Sequence, residues 1–98
     1  MKVRLTRRAS LDIRSQIDWL AERSPGSARK AAGAIFDAID RLKHHPLSGH
    51  LLISGEREVH IRFGQFGFVI RYQARRHDVV VVRVFHGAQN RQVRLAEE

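Results

Sequence analysis

The 98-residue chain has no cysteine, only two prolines and no long apolar run. Without cysteine there is no disulfide and no thiolate metal site, which suits a reducing cytoplasm. No apolar stretch approaches the roughly 18 residues of a membrane span. The opening MKVRLTRRAS carries cations where a signal peptide needs an apolar segment, so it is not read as one. Repeats, low-complexity tracts and linkers are missing. So are a phosphate-binding glycine loop, a Ser/His/Asp set and a carboxylate pair. The sole tyrosine is Tyr72, and none stands in the C-terminal tail. No cofactor is called for. No metal is either: His44 and His45 are adjacent at a helix end and point apart, and with His50 they make a weak ligand set. Protonated histidine near a helix C-terminus is the simpler reading.

What is present is a core-forming fraction and a strong positive charge. Hydrophobic residues make up 43% and charged residues 29%, which fits one globular domain spanning 1–98. Eighteen Lys and Arg against ten Asp and Glu leave +8, with a pI near 11.4. Such a field favours an anionic partner: nucleic acid, a ribosome or an acidic protein segment. A membrane surface is disfavoured because no basic amphipathic helix stands alone.

KVRLT (2–6) alternates and predicts a first strand. Thr6 then caps a helix running to about Arg23, with Ala9, Ile13, Ile17 and Leu20 on one stripe. Ser24 followed by Pro25 is a helix start. The second helix carries Ala28, Ala32, Ile35, Ile39 and Leu42 on one face and stops before Pro46. Two helices joined by about three residues make an αα-hairpin. Trp19, beside the first stripe, is read as core in preference to an exposed part of a partner or dimer surface.

HPLSGHLLISGE predicts a loop, and strands follow. REVHIRF (57–63) turns through Gly64 and Gln65 into FGFVIRY (66–72), placing Phe63 opposite Phe66. The apolar sets Val59, Ile61, Phe63 and Phe66, Phe68, Ile70, Tyr72 then share a face. A last strand covers 78–86. The expected fold is α+β, in the order β-α-α-β-β-β, with a helical hairpin on one face of a mostly antiparallel sheet. Parity puts Glu58, His60, Arg62, Val69 and Arg71 on the second face. For the last strand, Val80, Val82 and Val84 are assigned to the helices, and Val79, Val81, Arg83 and Phe85 to the open face. The valine run leaves that parity ambiguous. An apolar strip studded with arginines marks a partner surface of Arg62, Val69, Arg71, Val81, Arg83 and Phe85. The blander reading makes the arginines solvated cross-strand neighbours pairing with Glu58 or other carboxylates.

The order of elements resembles the RelE/ParE superfamily of type II toxin–antitoxin toxins. So do the helix-ending HHPLSG, the hairpin REVHIRFGQFGFVIRYQ and the closing VVVVRVFHGAQNR. The resemblance spans nearly the whole chain. It implies a cytoplasmic bacterial toxin, of the kind linked with plasmid stabilization, in a hetero-oligomeric complex with a cognate antitoxin, ParD-like or other, that wraps it. The partner surface above would then be the antitoxin's. RelE-like members cleave mRNA on the ribosome; ParE-like members poison DNA gyrase. RVFHGAQN is closer to the ParE-like ending, so a gyrase inhibitor is expected, leaning away from an enzyme. In that case the surface of the helical hairpin and the tail RQVRLAEE (91–98) are candidates for target contact.

The alternative is an endoribonuclease, which needs a base, an acid and cations at one phosphate. The candidates are His60 and His86 as acid and base, with Arg62, Arg71 and Arg83 as charge stabilisers. Parity sets His86 opposite Arg83 unless a bulge intervenes, and His86 is better read as anchoring the strand end. A third reading is a plain basic nucleic-acid-binding or interaction module.

Overall fold

A computed structural model describes residues 1–89. Its elements are β1 (Lys2–Leu5), α1 (Arg7–Arg23), α2 (Pro25–Leu42), β2 (His50–Leu51), β3 (Arg57–Ile61), β4 (Phe68–Ala74) and β5 (Asp78–His86). The sheet runs β1-β5-β4-β3-β2, with β1 parallel to β5 and every other pair antiparallel. The expected α+β fold is present, with two helices packed on one face of a five-stranded sheet. Its one addition is the two-residue β2, inside the segment read as a loop.

Local chemistry sets the helix ends. The Thr6 hydroxyl accepts from the Ala9 N–H and caps α1. Ser24 alone joins the helices, where about three residues were expected. Its backbone N–H closes α1 on the Leu20 carbonyl at 2.7 Å, and its hydroxyl accepts from the Ser27 N–H to open α2. Ala9, Ile13, Ala31, Ile35, Ile39 and Leu42 then lie in the core against Ile61, Phe68, Ile70 and Tyr72. Trp19 is not core. It is 55% exposed, with the Arg23 guanidinium 3.8 Å from its ring centroid.

The β3–β4 register is the expected one, with Ile61 opposite Phe68 and Arg57 opposite Tyr72. The ladder stops early, however, so 62–67 form a wider loop and Phe66 turns outward. Gly67 makes this possible. Its φ of +67° is in the glycine region, and a side chain there would run into the Ile61 carbonyl.

β5 corrects the parity assignment. Arg71 faces Arg83 but Tyr72 faces Val81, so Val82 is an extra residue, a β-bulge. The bulge lets Val79 and Val81 face the helices before it and Val84 after it. Val79 and Val81 are therefore fully buried core residues rather than members of the open face. Arg83 and Phe85 keep the expected side.

The HPLSG loop is fastened by the buried Tyr72. Its hydroxyl donates to the Pro46 carbonyl at 2.8 Å and accepts from the Gly49 N–H at 2.9 Å. A Cβ on Gly49 would sit 2.7 Å from that hydroxyl, so glycine is required by close approach. Tyr72→Phe leaves both backbone groups without their partner. Unfolding free energy should fall by about 1–3 kcal/mol in urea at unchanged m-value; an unaltered midpoint would contradict this role.

Candidate functional site

β5 outruns β1. The parallel partner ends with Leu5 opposite Val81, leaving the rest of that β5 edge without a strand. Such an edge exposes backbone donors and acceptors, and α1 covers it with side chains. The Thr6 N–H and hydroxyl donate to the carbonyls of Val81 and Val82, each at 3.0 Å. The Gln16 amide donates to the Val84 carbonyl at 2.9 Å, and Asp12 accepts from the Val84 N–H at 2.9 Å.

Asp12 also accepts from Arg83, Nε at 2.8 Å and Nη2 at 3.3 Å, and from Arg8 Nε at 3.2 Å. Burial alone would raise its pKa. The hydrogen bonds from Arg83 and Val84, the charge of Arg83 and the bond from Arg8 outweigh burial and hold the carboxyl below the ordinary aspartate value.

A second carboxylate does similar work on the sheet face away from the helices. Glu58 is 3% exposed and takes both Nε and Nη2 of Arg71, at 2.9 and 2.7 Å. Arg71 and Arg83 are direct cross-strand neighbours, a repulsive pairing unless neutralised. Glu58 on one side and Asp12 on the other supply the counter-charges. Both guanidiniums lie over the Phe85 ring, at 5.0 and 4.6 Å. Val69 and Phe85, expected as an open apolar strip, are only 2% and 6% exposed.

The exposed apolar surface gathers elsewhere. A groove of about 570 Å³ opens between α1 and the 62–67 loop. Trp19 and Leu20 contribute from the helix, Phe63 and Phe66 from the loop, and His86 from the end of β5. Asp12, Gln16 and Arg83 line its polar part. The Gln16 amide oxygen is buried there and meets no donor among the described residues.

The candidate ribonuclease residues do not converge on one point. His60 lies on the second face opposite Val69, and its ring meets His50 edge-on at 6.2 Å. His86 lies on the helix-side face opposite Phe68, against the rings of Phe66 and Phe68 at 5.6 and 6.2 Å. Its Nδ1 accepts from the Ala88 N–H at 3.2 Å and its backbone N–H donates to the Gln89 side chain at 2.6 Å, so it finishes the strand end. The bulge precedes Arg83 and leaves His86 on the other side of the strand, yet Arg83 reaches round the edge to Asp12, and these two candidates both line the groove beside α1. Arg62 is exposed in the loop. Among the described residues no three His, Asp or Glu side chains gather as a metal site, and no helix is long and apolar enough to cross a membrane. The tail 91–98 lies outside the described residues.

A family model described as the ParE toxin of the type II toxin–antitoxin system parDE matches residues 3–91. The chain belongs to the ParE toxin family. It is thus a toxin of a type II toxin–antitoxin system, which supersedes the plain basic module. This ParE-family toxin is 37% identical over 84 residues to Toxin RelE1 of Caulobacter vibrioides, covering 86% of this chain and 90% of that protein. With Toxin RelE3 of the same organism it shares 30% over 89 residues, 91% of this chain and 97% of that one. Its fold matches a solved structure of a chromosomal ParDE toxin–antitoxin system from P. aeruginosa, with a TM-score of 0.71 and 20% identity, covering 88% and 95% of the two chains.

Asp12 and Gln16 were not anticipated from the sequence of this toxin. The signal was there: both fall within the buried stripe of α1, at helical spacing between Ala9, Ile13, Ile17 and Leu20. Polar residues on such a stripe need partners, but those partners lie about 70 positions away.

Asp12 has a pH signature. A carboxyl whose folded pKa is depressed stabilises fully above its unfolded value, about 3.9, and loses that contribution as pH falls through the folded value. Stability of the unaltered toxin should therefore drop more steeply below about pH 5 than that of Asp12→Asn. Urea midpoints across pH 3–6 read this, and parallel curves would contradict it.

Proposed function

We propose that this toxin acts as a binding inhibitor and not as a ribonuclease, with DNA gyrase as its target and an antitoxin as its partner. The observation that supports this is the separation of His60 and His86 onto opposite faces of the sheet. Cleavage through a 2′-hydroxyl needs an acid and a base within hydrogen-bond reach of the same phosphate. Two side chains divided by a sheet do not meet that need.

The groove beside His86 offers no substitute pair. The bond from the Ala88 N–H occupies the Nδ1 lone pair of His86, which would otherwise serve as a base there. The carboxylate in the same groove, Asp12, holds several donors and has a lowered pKa, which makes it a poor base. Arg71 and Arg83 are engaged with Glu58 and Asp12.

Gyrase is the target implied by the likeness of RVFHGAQN to the ParE-like ending, and by the family description, which names ParE and parDE. The curated relatives carry the name RelE, which favours the ribonuclease as second reading. The antitoxin partner is supported by the ParDE system to which the fold is similar.

Purified toxin should inhibit gyrase supercoiling, leave mRNA on translating ribosomes intact, and keep its toxicity in His86→Ala. Message cleavage on ribosomes that disappears in His86→Ala would overturn the assignment.

A further inference from the structure

We propose that this toxin pairs with a second copy of itself across the outer edge of β2. The pairing is two-fold and antiparallel, with Leu51 opposite Leu51 of the other copy. This surface plays no part in the reading above, and the pairing is independent of the toxin's target.

An open sheet has edges whose backbone groups are free to pair with another chain, and natural sheets guard them. Two of the edges here are guarded. β1 places Lys2 and Arg4 along one side, and α1 covers the part of β5 that β1 leaves bare. β2, the last strand on the other side, has neither protection. Residues 44–56 are the longest stretch without Lys or Arg in a chain that has 18 of them. Three aliphatic side chains are exposed there instead: Leu47 by 66%, Leu51 by 40% and Ile53 by 59%. An exposed apolar edge of this kind is a pairing surface.

The ladder shows which backbone groups are free. In an antiparallel pair, residues that exchange hydrogen bonds alternate with residues that do not. β2 sets His50 opposite Glu58 and Leu51 opposite Arg57. In the same register the Leu52 N–H donates to the Glu56 carbonyl at 2.8 Å. His50 and Leu52 thus bond toward β3, and the N–H and C=O of Leu51 point outward. A donor and an acceptor on one outward residue suit an antiparallel two-fold. Each copy's Leu51 N–H donates to the other's Leu51 carbonyl, and Ile53 and Leu47 flank the seam. Such an interface is isologous, so it closes at two copies instead of growing.

The edge is held in place beforehand. The Tyr72 hydroxyl bonds Pro46 and Gly49, and Arg57 Nη1 donates to the carbonyls of Leu47 and Gly49 at 3.2 and 2.9 Å. The Gly55 N–H closes the following turn on the Leu52 carbonyl at 2.9 Å. A segment ordered in advance loses little freedom on pairing.

Charge selects the occupant. Two copies of a +8 chain repel wherever their cations meet, and residues 44–56 contribute no Lys or Arg. An acidic partner finds none there to pair with. The contact is small, so the dimer is a weak one. β2 joins β3 at Arg57 and Glu58, away from the 62–67 loop, and pairing leaves the groove beside α1 open.

Sedimentation equilibrium of the purified toxin, from micromolar to near-millimolar concentration, tests this. The average mass should climb from 11.3 kDa toward twice that value, and amide exchange at Leu51 should slow with it. Ile53→Lys and Leu47→Lys, both at exposed sites, should each lower the association constant about tenfold or more, with melting temperatures unchanged. Trp19→Lys on α1 should leave it within about twofold.

A single 11.3 kDa species at every concentration would overturn the proposal. So would self-association that survives both edge variants and disappears in Trp19→Lys, which would place it at α1. A monomeric toxin whose complex with the product of the adjoining gene is weakened by Ile53→Lys would overturn it too, and would give the edge to that partner.

Discussion

The Asp12 carboxylate is where helix and sheet are joined. β5 is longer than β1, so half of one edge would otherwise present bare backbone to solvent. Asp12 accepts the Val84 N–H and the Arg83 guanidinium at that edge, with Thr6 and Gln16 serving the neighbouring carbonyls. A helix is thereby fixed where a strand would have been, and the edge is closed to pairing with other chains.

Much follows from that joint. Holding α1 at the edge leaves a concavity between the helix and the 62–67 loop, lined by Trp19 and Phe66. Binding Arg83 to Asp12 relieves its repulsion with Arg71, whose own charge is met by the buried Glu58. The two guanidiniums then lie over Phe85, so that ring does not add to the exposed apolar surface. Both cations on this pair of strands are thus tied to carboxylates.

Much of this fold could be read from the chain because its signals are local. The Thr6 and Ser24 caps, Pro25 at a helix start, and the alternation of Val59 and Ile61 against Phe68, Ile70 and Tyr72 each specify their element or register unaided. Misreadings arose where local signals were degenerate. Four successive valines carry no parity, and only the bulge at Val82 decides that Val79, Val81 and Val84 all face the helices. Trp19 looked like core because it borders the apolar stripe, yet it sits on the groove wall over which Arg23 folds. The site was least legible, since Asp12 and Gln16 depend on partners about 70 residues distant and nothing nearby marks that contact.

The joint at Asp12 can be tested directly through the amide it holds. Hydrogen exchange measured by NMR on the unaltered toxin and on Asp12→Ala reads the Val84 N–H separately from the β3–β4 ladder. The account predicts that Val84 is protected in the first and loses that protection in the second, while Val59 and Ile70 keep theirs. Equal protection of Val84 in both proteins would contradict it.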